Sequence, residues 1–353
     1  MQQEFKTPCF TMLCGLSGAG KSTYAEQLCK ETGAVHLASD KVRDVLYGSR
    51  KYQDNPELIS DVCRKAVMEN LRQGRSVVLD ATNLKSRKRV QTIKQIRNEL
   101  PDTVCKIHVL VREFDDCVKQ NVCREFAIPR TALEKQYGDF QIPFMEEGWD
   151  AIILVPPEGY CFSPNPLWTW SMQELARQGE NFDQHTPHHD FTLAQHCRSV
   201  NEYIYKHFGL DEEDFDMTEE ENYLLSAAFL HDYGKLFGHT EDENGVWHYY
   251  GHAERGAYQL LCDCLKKEVP SIGFVHNALY ENSYSGYDDT ISFIMGVAFY
   301  VNYHMLPFNW TNDKELKRAQ KWFGEEKFRN LMLLHEADIQ GKNIHVIGGE
   351  EIG

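Results

Sequence analysis

The chain has 353 residues, 42% of them apolar and 25% charged, with 24 Gly, 12 Pro and a formal net charge of −16. At ~100–200 residues per domain this length holds two domains and exceeds a disulfide-stapled miniprotein, and the composition excludes disorder and collagen. No apolar run approaches the ~18–20 residues of a membrane span, the opening MQQEFKTPCF lacks a secretion signal, and eleven cysteines without paired CxxC spacing fit reduced thiols, so a cytoplasmic protein with no membrane partner is expected.

In chain order, the first apolar run is CFTMLC (9–14), followed by helical periodicity near residues 21–32 and a short apolar stretch, VHLAS. Further helical patterns near 57–73 and 86–99 alternate with the runs SVVLD (76–80), KIHVLV (106–111) and AIILV (151–155). Strands apolar on both faces, alternating with helices, predict an α/β domain over residues 1–155, with a parallel sheet and helices on both faces. The stretch PPEGYCFSPNP (156–166) carries four prolines and a glycine, which neither a helix nor a central strand accommodates. A linker is therefore expected over 156–182. Beyond it the apolar residues recur at helical spacing, as in Leu193, Cys197, Val200 and Ile204, and predict an all-α domain over 183–345 with a tail at 346–353.

Directly after the first strand, Gly15-Leu16-Ser17-Gly18-Ala19-Gly20-Lys21-Ser22-Thr23 contains GxxxxGK[ST] and opens a helix. Glycines let successive backbone N–H groups turn toward phosphates, and the helix N-terminus adds positive potential. The motif predicts binding of ATP or another nucleoside triphosphate with Mg2+ by Gly15, Ser17, Gly18, Ala19, Gly20, Lys21, Ser22 and Thr23. Lys21 is assigned to the β/γ-phosphates and Ser22 to the metal. Asp40, in SDKVR at the end of the VHLAS run, is a candidate general base, with Arg43 one helical turn on to hold an acceptor phosphate. The alternative makes Asp40 a helix N-cap. Asp80, ending VVLD, is either a Mg2+ partner through water or a turn residue. The basic run Lys85, Arg87, Lys88, Arg89 is either a nucleic-acid contact or a solvated helix turn.

Taken together, GLSGAGKST, SDKVR, VVLDATNLKSRKR, VKQNVCREFAIPR and FQIPFMEEGWDAII resemble, in that order, the P-loop polynucleotide 5′-kinase family over about residues 9–155. The resemblance implies Asp40 as base for a 5′-hydroxyl, Arg43 as its arginine partner and Arg124 as a lid arginine clamping the transferring phosphate. Gln120 stands where a second lid arginine is expected, with Arg130 a candidate substitute.

The two halves differ in charge. Residues 1–150 hold 23 Lys+Arg against 21 Asp+Glu, net +2, which leaves 14 against 32, net −18, for the remainder. Thirteen of 15 histidines also lie there, and imidazole with carboxylate is the ligand chemistry of hydrolytic divalent-metal sites. The acidic runs DEEDFD and TEEEN read as solvated faces. An apolar helix delivers His231-Asp232 and stops at Gly234, and His196, His252, His304 and Asp338 each sit in or at the end of an apolar helical pattern. Such residues projecting from several helices build metal sites in bundle cores.

The order H…HD…H…H…D resembles the HD phosphohydrolase superfamily over about residues 183–345. The resemblance implies His196, His231, Asp232 and Asp338 as ligands of one divalent ion, Mg or a transition metal such as Mn, Co, Ni, Zn or Fe. It implies His252 and His304 for a second ion or the substrate phosphate, with Lys235 stabilising the phosphate. His276 is an alternative to His304, and His185, His188 and His189 are candidate pocket residues. His207, His239, His248, His335 and His345 default to surface or core roles.

The two resemblances together imply a bifunctional end-healing enzyme acting on RNA or DNA ends. One half phosphorylates 5′-hydroxyls; the other removes a 3′-phosphate or 2′,3′-cyclic phosphate, leaving ends for a separate ligase. The alternatives are a small-molecule or nucleoside kinase fused to a nucleotide phosphohydrolase, and an ATP-dependent regulatory switch with a nucleotide-binding HD module.

Overall fold

The computed structural model describes residues 7–49, 55–163, 165, 167–186, 191–210, 217–267 and 289–342. These form two compact units, one reaching Cys161 and taking in Lys267, the other running from Phe162 to Lys266 and resuming at Asp289.

The first unit is an α/β fold around a five-stranded parallel sheet in the order β2-β3-β1-β4-β5. Its strands are β1 (Cys9–Cys14), β2 (Val35–Ala38), β3 (Val77–Asp80), β4 (Val104–Leu110) and β5 (Ala151–Val155). Strand β1 lies at the centre, paired Phe10↔Val77 with β3 and Phe10↔Cys105 with β4, which explains why Phe10 and Met12 on one face and Leu13 on the other are buried. Between the strands run α1 (Lys21–Thr32), α2 (Ser39–Tyr47), α3 (Pro56–Arg72), α4 (Ser86–Glu99), α5 (Phe114–Val122) and α6 (Arg130–Tyr137). The turns after β1, β2 and β3 all leave from the carboxyl edge of the sheet, where ligands bind in such folds.

The basic run at the start of α4 departs from expectation. Arg89 is fully buried and binds both oxygens of Glu147, at 2.9 and 2.6 Å, and the carbonyls of Asn83 and Leu84. Ser86 and Trp149 also donate to Glu147. Arg89 is thus a structural cation; Lys85, Arg87 and Lys88 remain exposed.

The second unit is helical: α7 (Met172–Gly179), α8 (Leu193–His207), α9 (Glu219–Leu230), α10 (His252–Asp263), α11 (Asp289–Tyr303), α12 (Asp313–Phe323) and α13 (Glu325–Gln340), with a short antiparallel hairpin pairing Thr240–Glu241 with Trp247–His248. The expected linker 156–182 contains α7, which belongs to this unit. Leu167, Ser171, Leu175 and Gly179 recur every fourth residue and are buried, a helical stripe that the preceding prolines obscured. The expected tail, residues 346–353, lies outside the described residues.

Capping boxes start two helices, Thr192 with Gln195 at α8 and Thr218 with Glu221 at α9, each satisfying backbone donors at both ends of the first turn. Of the TEEEN run, Glu220 turns inward, accepting from Tyr300 at 2.6 Å and Lys327 at 2.9 Å, so that stretch is not wholly a solvated face. DEEDFD lies outside the described residues. Thr290–Asn309 is long and apolar enough, by length and composition, to cross a membrane, yet 78% of its apolar window is buried within the protein. Asn302 and His304, the polar residues near its end, are both buried, and α11 packs in the core of this unit.

Candidate functional sites

Gly15 to Gly20 wrap the carboxyl end of β1. Gly18 has φ +89°, and a Cβ there would overlap the Cys117 carbonyl, so α5 packs on the loop only because no side chain intervenes. Ser17, Gly18, Gly20, Lys21, Ser22 and Thr23 line a cleft of about 650 Å³. Gly15 and Ala19 instead commit their N–H groups to the carbonyls of Thr82 and Leu16, both at 3.1 Å, so they shape the loop. Lys21 Nζ donates to the Leu16 carbonyl at 2.8 Å. Burial pushes its pKa down, and the nearby Asp80 carboxylate opposes that.

Asp40, Arg43, Asp80 and Arg124 line the same cleft. Asp40 lies in the first turn of α2 without capping it; it accepts from Arg43 at 2.8 Å and Arg124 at 3.4 Å. Two guanidinium groups from separate elements thus converge on one carboxylate, about 40% exposed to the cleft. Gln120 faces the cleft, whereas Arg130 pairs with Glu134 at the surface, 3.0 Å away. Two contributors went unnoticed in the sequence. His36 Nε2 sits 3.2 Å from Asp80, and Gln136 accepts from the Ser17 N–H at 2.9 Å. Neither belongs to a spaced motif; β2–β3 pairing and the fold-back of α6 bring them in.

In the helical unit, His196 from α8, His231 and Asp232 just after α9, His252 at the start of α10, His304 just after α11 and Asp338 from α13 meet in one buried cluster. Two donor groups result, His196–His231–Asp338 and Asp232–His252–His304. Asp232 joins them: Oδ2 lies 3.4 Å from both His196 and His231, and Oδ1 lies 3.1 Å from His252 and 3.7 Å from His304.

The histidine orientations have a common cause. Each Nδ1 donates to a backbone carbonyl: His196 to Gly341 at 3.0 Å, and His231, His252 and His304 to Ala228, Tyr249 and Val301, each at 2.8 Å. In the neutral rings this turns every Nε2 lone pair inward. His196 Nε2 and His231 Nε2 are 3.2 Å apart, as are those of His252 and His304, and facing lone pairs at this separation repel unless a proton or cation lies between them. Four imidazoles and two carboxylates form a nitrogen–oxygen donor set suited to divalent transition ions. Burial lowers the His252 pKa, favouring the neutral ligand form. Burial alone would raise Asp232, and the Lys235 ammonium beside it holds its carboxyl below the usual range instead.

Lys235 is buried and divided between Asp232 Oδ2 and Gln184 Oε1, both at 2.7 Å. Gln184, 1% exposed, was missed because a lone glutamine carries no spacing signal. His185 is half exposed and packs on Trp247 with ring centroids 4.2 Å apart. His188, His189, His276 and His345 lie outside the described residues.

Residues 10–143 match the family described as an AAA domain. The first unit has a P-loop kinase-like fold. No curated protein matches the chain. Similar solved structures include the Pnkp1/Rnl/Hen1 RNA repair complex, at 23% identity over 38% of this chain and 44% of that chain, with a TM-score of 0.33. A gluconokinase from Sinorhizobium meliloti 1021 is 18% identical over 43% of this chain and 85% of its own, with a TM-score of 0.32. Chaetomium thermophilum Kti12 in complex with ADP-AlF3 is 19% identical over 42% and 90%, with a TM-score of 0.36. This chain thus spans less than half of the first of these chains.

Proposed function

We propose that the chain heals broken nucleic-acid ends, RNA foremost, by phosphorylating 5′-hydroxyls and removing 3′-phosphates or 2′,3′-cyclic phosphates. The observation that carries this reading is the pairing of two constellations in one chain: a P-loop cleft holding Asp40 between two arginines, and a buried six-residue histidine–aspartate cluster. On the acceptor side, Arg43, Arg64, Lys85, Lys88 and Arg124 line the cleft, a cationic rim that suits a polyanionic acceptor.

In the kinase half, Lys21 and the P-loop amides hold the ATP phosphates. Asp40 accepts the proton of the 5′-hydroxyl as its oxygen bonds to the γ-phosphorus and the bond to ADP breaks. Arg124 offsets charge on the transferring group, and Arg43 holds Asp40 and the acceptor phosphate. Mg2+ bound by Ser22 and Asp80 would neutralise charge on the nucleotide phosphates.

In the hydrolase half, His196, His231, Asp232, His252, His304 and Asp338 would hold divalent ions, and an ion bound there would supply a water activated near neutral pH and offset phosphate charge. Lys235 fixes the Asp232 carboxylate between the two donor groups, and the four backbone carbonyls fix the imidazoles, so that ligand positions are set before substrate arrives.

The test uses the full-length protein. Labelled ATP should phosphorylate a 5′-OH oligonucleotide but not nucleosides, and phosphate should leave a 3′-phosphate oligonucleotide only with a divalent metal. Lys21→Ala and Asp40→Ala should each lower the first activity by ~100-fold or more and spare the second. Phosphorylation of nucleosides or sugars in preference to oligonucleotides would favour a small-molecule kinase.

A further inference from the structure

An aromatic row leads outward from the histidine–aspartate cluster. Tyr249 stands at its inner end: its carbonyl accepts from His252 Nδ1, and the Lys235 ammonium lies 5.4 Å from its ring centroid. Trp247 follows, with centroids 6.5 Å from Tyr249, and His239 lies flat on Trp247, 3.6 Å between centroids and 11° between planes. His239 is exposed, and its ring centroid is 6.0 Å from that of Tyr249. His185 packs on Trp247 as well, and the Trp247 backbone N–H donates to the His185 carbonyl at 2.9 Å.

This arrangement is more than a hairpin core. Two contacts, of 5.4 and 6.0 Å, link the buried Lys235 ammonium to the exposed His239. The row thus joins a stacked, exposed imidazole to the histidine–aspartate cluster. The unit carrying it is strongly acidic, so a nucleic-acid end gains little there from backbone electrostatics, and stacking on a π-face is the remaining sequence-tolerant source of affinity.

We propose that His239 and Trp247 form a stacking platform for the terminal nucleobase of the phosphate-bearing end, so that the hydrolase half recognises a nucleoside phosphate rather than a bare phosphate ester. The inference rests on the reading of the cluster as a metal-dependent phosphohydrolase. His239 supplies the outer face, Trp247 backs it, and Tyr249 links the platform to Lys235 and His252.

The experiment compares two oligonucleotide 3′-phosphates that differ only in whether the terminal residue carries a base or is abasic, with β-glycerophosphate as a ring-free control, all with Mn2+. Wild type should prefer the base-bearing end by ~10-fold or more in kcat/KM. His239→Ala should raise KM for that end by a similar ~10-fold factor with little change in kcat, and leave the abasic end and β-glycerophosphate unaffected. His239→Tyr should restore the preference. Trp247→Ala should act in the same direction, and His239, being exposed, supplies the variant that tests the idea even if Trp247→Ala unfolds. Equal losses on all three substrates, or a wild type indifferent to the base, overturn the platform. If wild type hydrolyses none of them with any divalent ion, the hydrolase reading fails separately. Calorimetric binding of a nucleoside 3′-phosphate against ribose 3-phosphate then decides the platform, and equal affinities reject it.

Discussion

Gly234 and His252 meet so closely that a Cβ on Gly234 would overlap the His252 carbonyl oxygen and lie 2.6 Å from the Gly256 N. The turn after His231-Asp232 is thereby pressed onto the first turn of α10, and this close approach brings His252 within 3.1 Å of Asp232. Gly234→Ala should therefore separate the two donor groups. The obstruction is backbone on both sides and cannot rotate away, so the cost should reach the upper end of the ~1–3 kcal/mol typical of overpacked sites. Thermal melting should show the loss of stability, and elemental analysis should show metal content falling with it. An alanine variant with wild-type melting and metal content would refute this account.

Asp232 is the residue common to both donor groups, and Asp232→Asn keeps its volume while removing its charge. The buried Lys235 then loses its carboxylate partner and keeps Gln184. Metal affinity should drop by more than the ~10–100-fold seen when outer partners of a metal site are lost, and metal-dependent phosphate release should vanish. Phosphorylation of a 5′-OH oligonucleotide should stay within about two-fold of wild type, because sites without shared partners act independently. Loss of both activities in a folded variant would mean that the two constellations are not separate sites.

Arg89 and Lys88 are neighbours in the same basic run with opposite fates. Removing Arg89 leaves Glu147 buried without its bidentate partner, and breaking such a pair costs ~3–5 kcal/mol. Lys88 is exposed and lines the cleft. Arg89→Ala should thus lower the denaturant midpoint sharply. Lys88→Ala should leave it unchanged while raising KM for a 5′-OH oligonucleotide more at low salt than at high salt. An Arg89→Ala variant of native stability would contradict the buried-pair account.

The contrast between those two residues also explains what was legible in the sequence. Features that recur locally were readable: the P-loop spacing, the apolar strands, and the helical period that carries His196, His231 and Asp338. Features that depend on a distant partner were not. Nothing around Arg89 announces Glu147, 58 positions away, and nothing around Glu220 announces Lys327. Helix α7 was hidden for a different reason, since the prolines before it dominate the composition while its buried stripe of Leu167, Ser171, Leu175 and Gly179 shows only as a period of four. The pairing of His196 with His231 across 35 residues was likewise inferable only through a family resemblance, because the crossing of α8 and α9 sets it.

The pH response of the kinase-like unit follows from His108. On β4 this ring is buried, its Nδ1 lies 2.8 Å from the Tyr24 hydroxyl, and burial, aided by Lys106, pushes its pKa down to about 4. The unfolded chain binds a proton on this residue below ~6.5, whereas the folded chain resists it until about 4. The stability associated with the neutral ring is fully present above pH ~6.5 and is lost as the pH falls toward 4, by about 3 kcal/mol in all at ~1.4 kcal/mol per unit. His108→Asn keeps a hydrogen-bond partner for Tyr24 but does not titrate. Urea unfolding of wild type and variant at pH 7 and pH 4.5 should show the wild type losing more stability on acidification, by about 2 kcal/mol. Equal losses in the two proteins would show that His108 does not set the acid sensitivity of this unit.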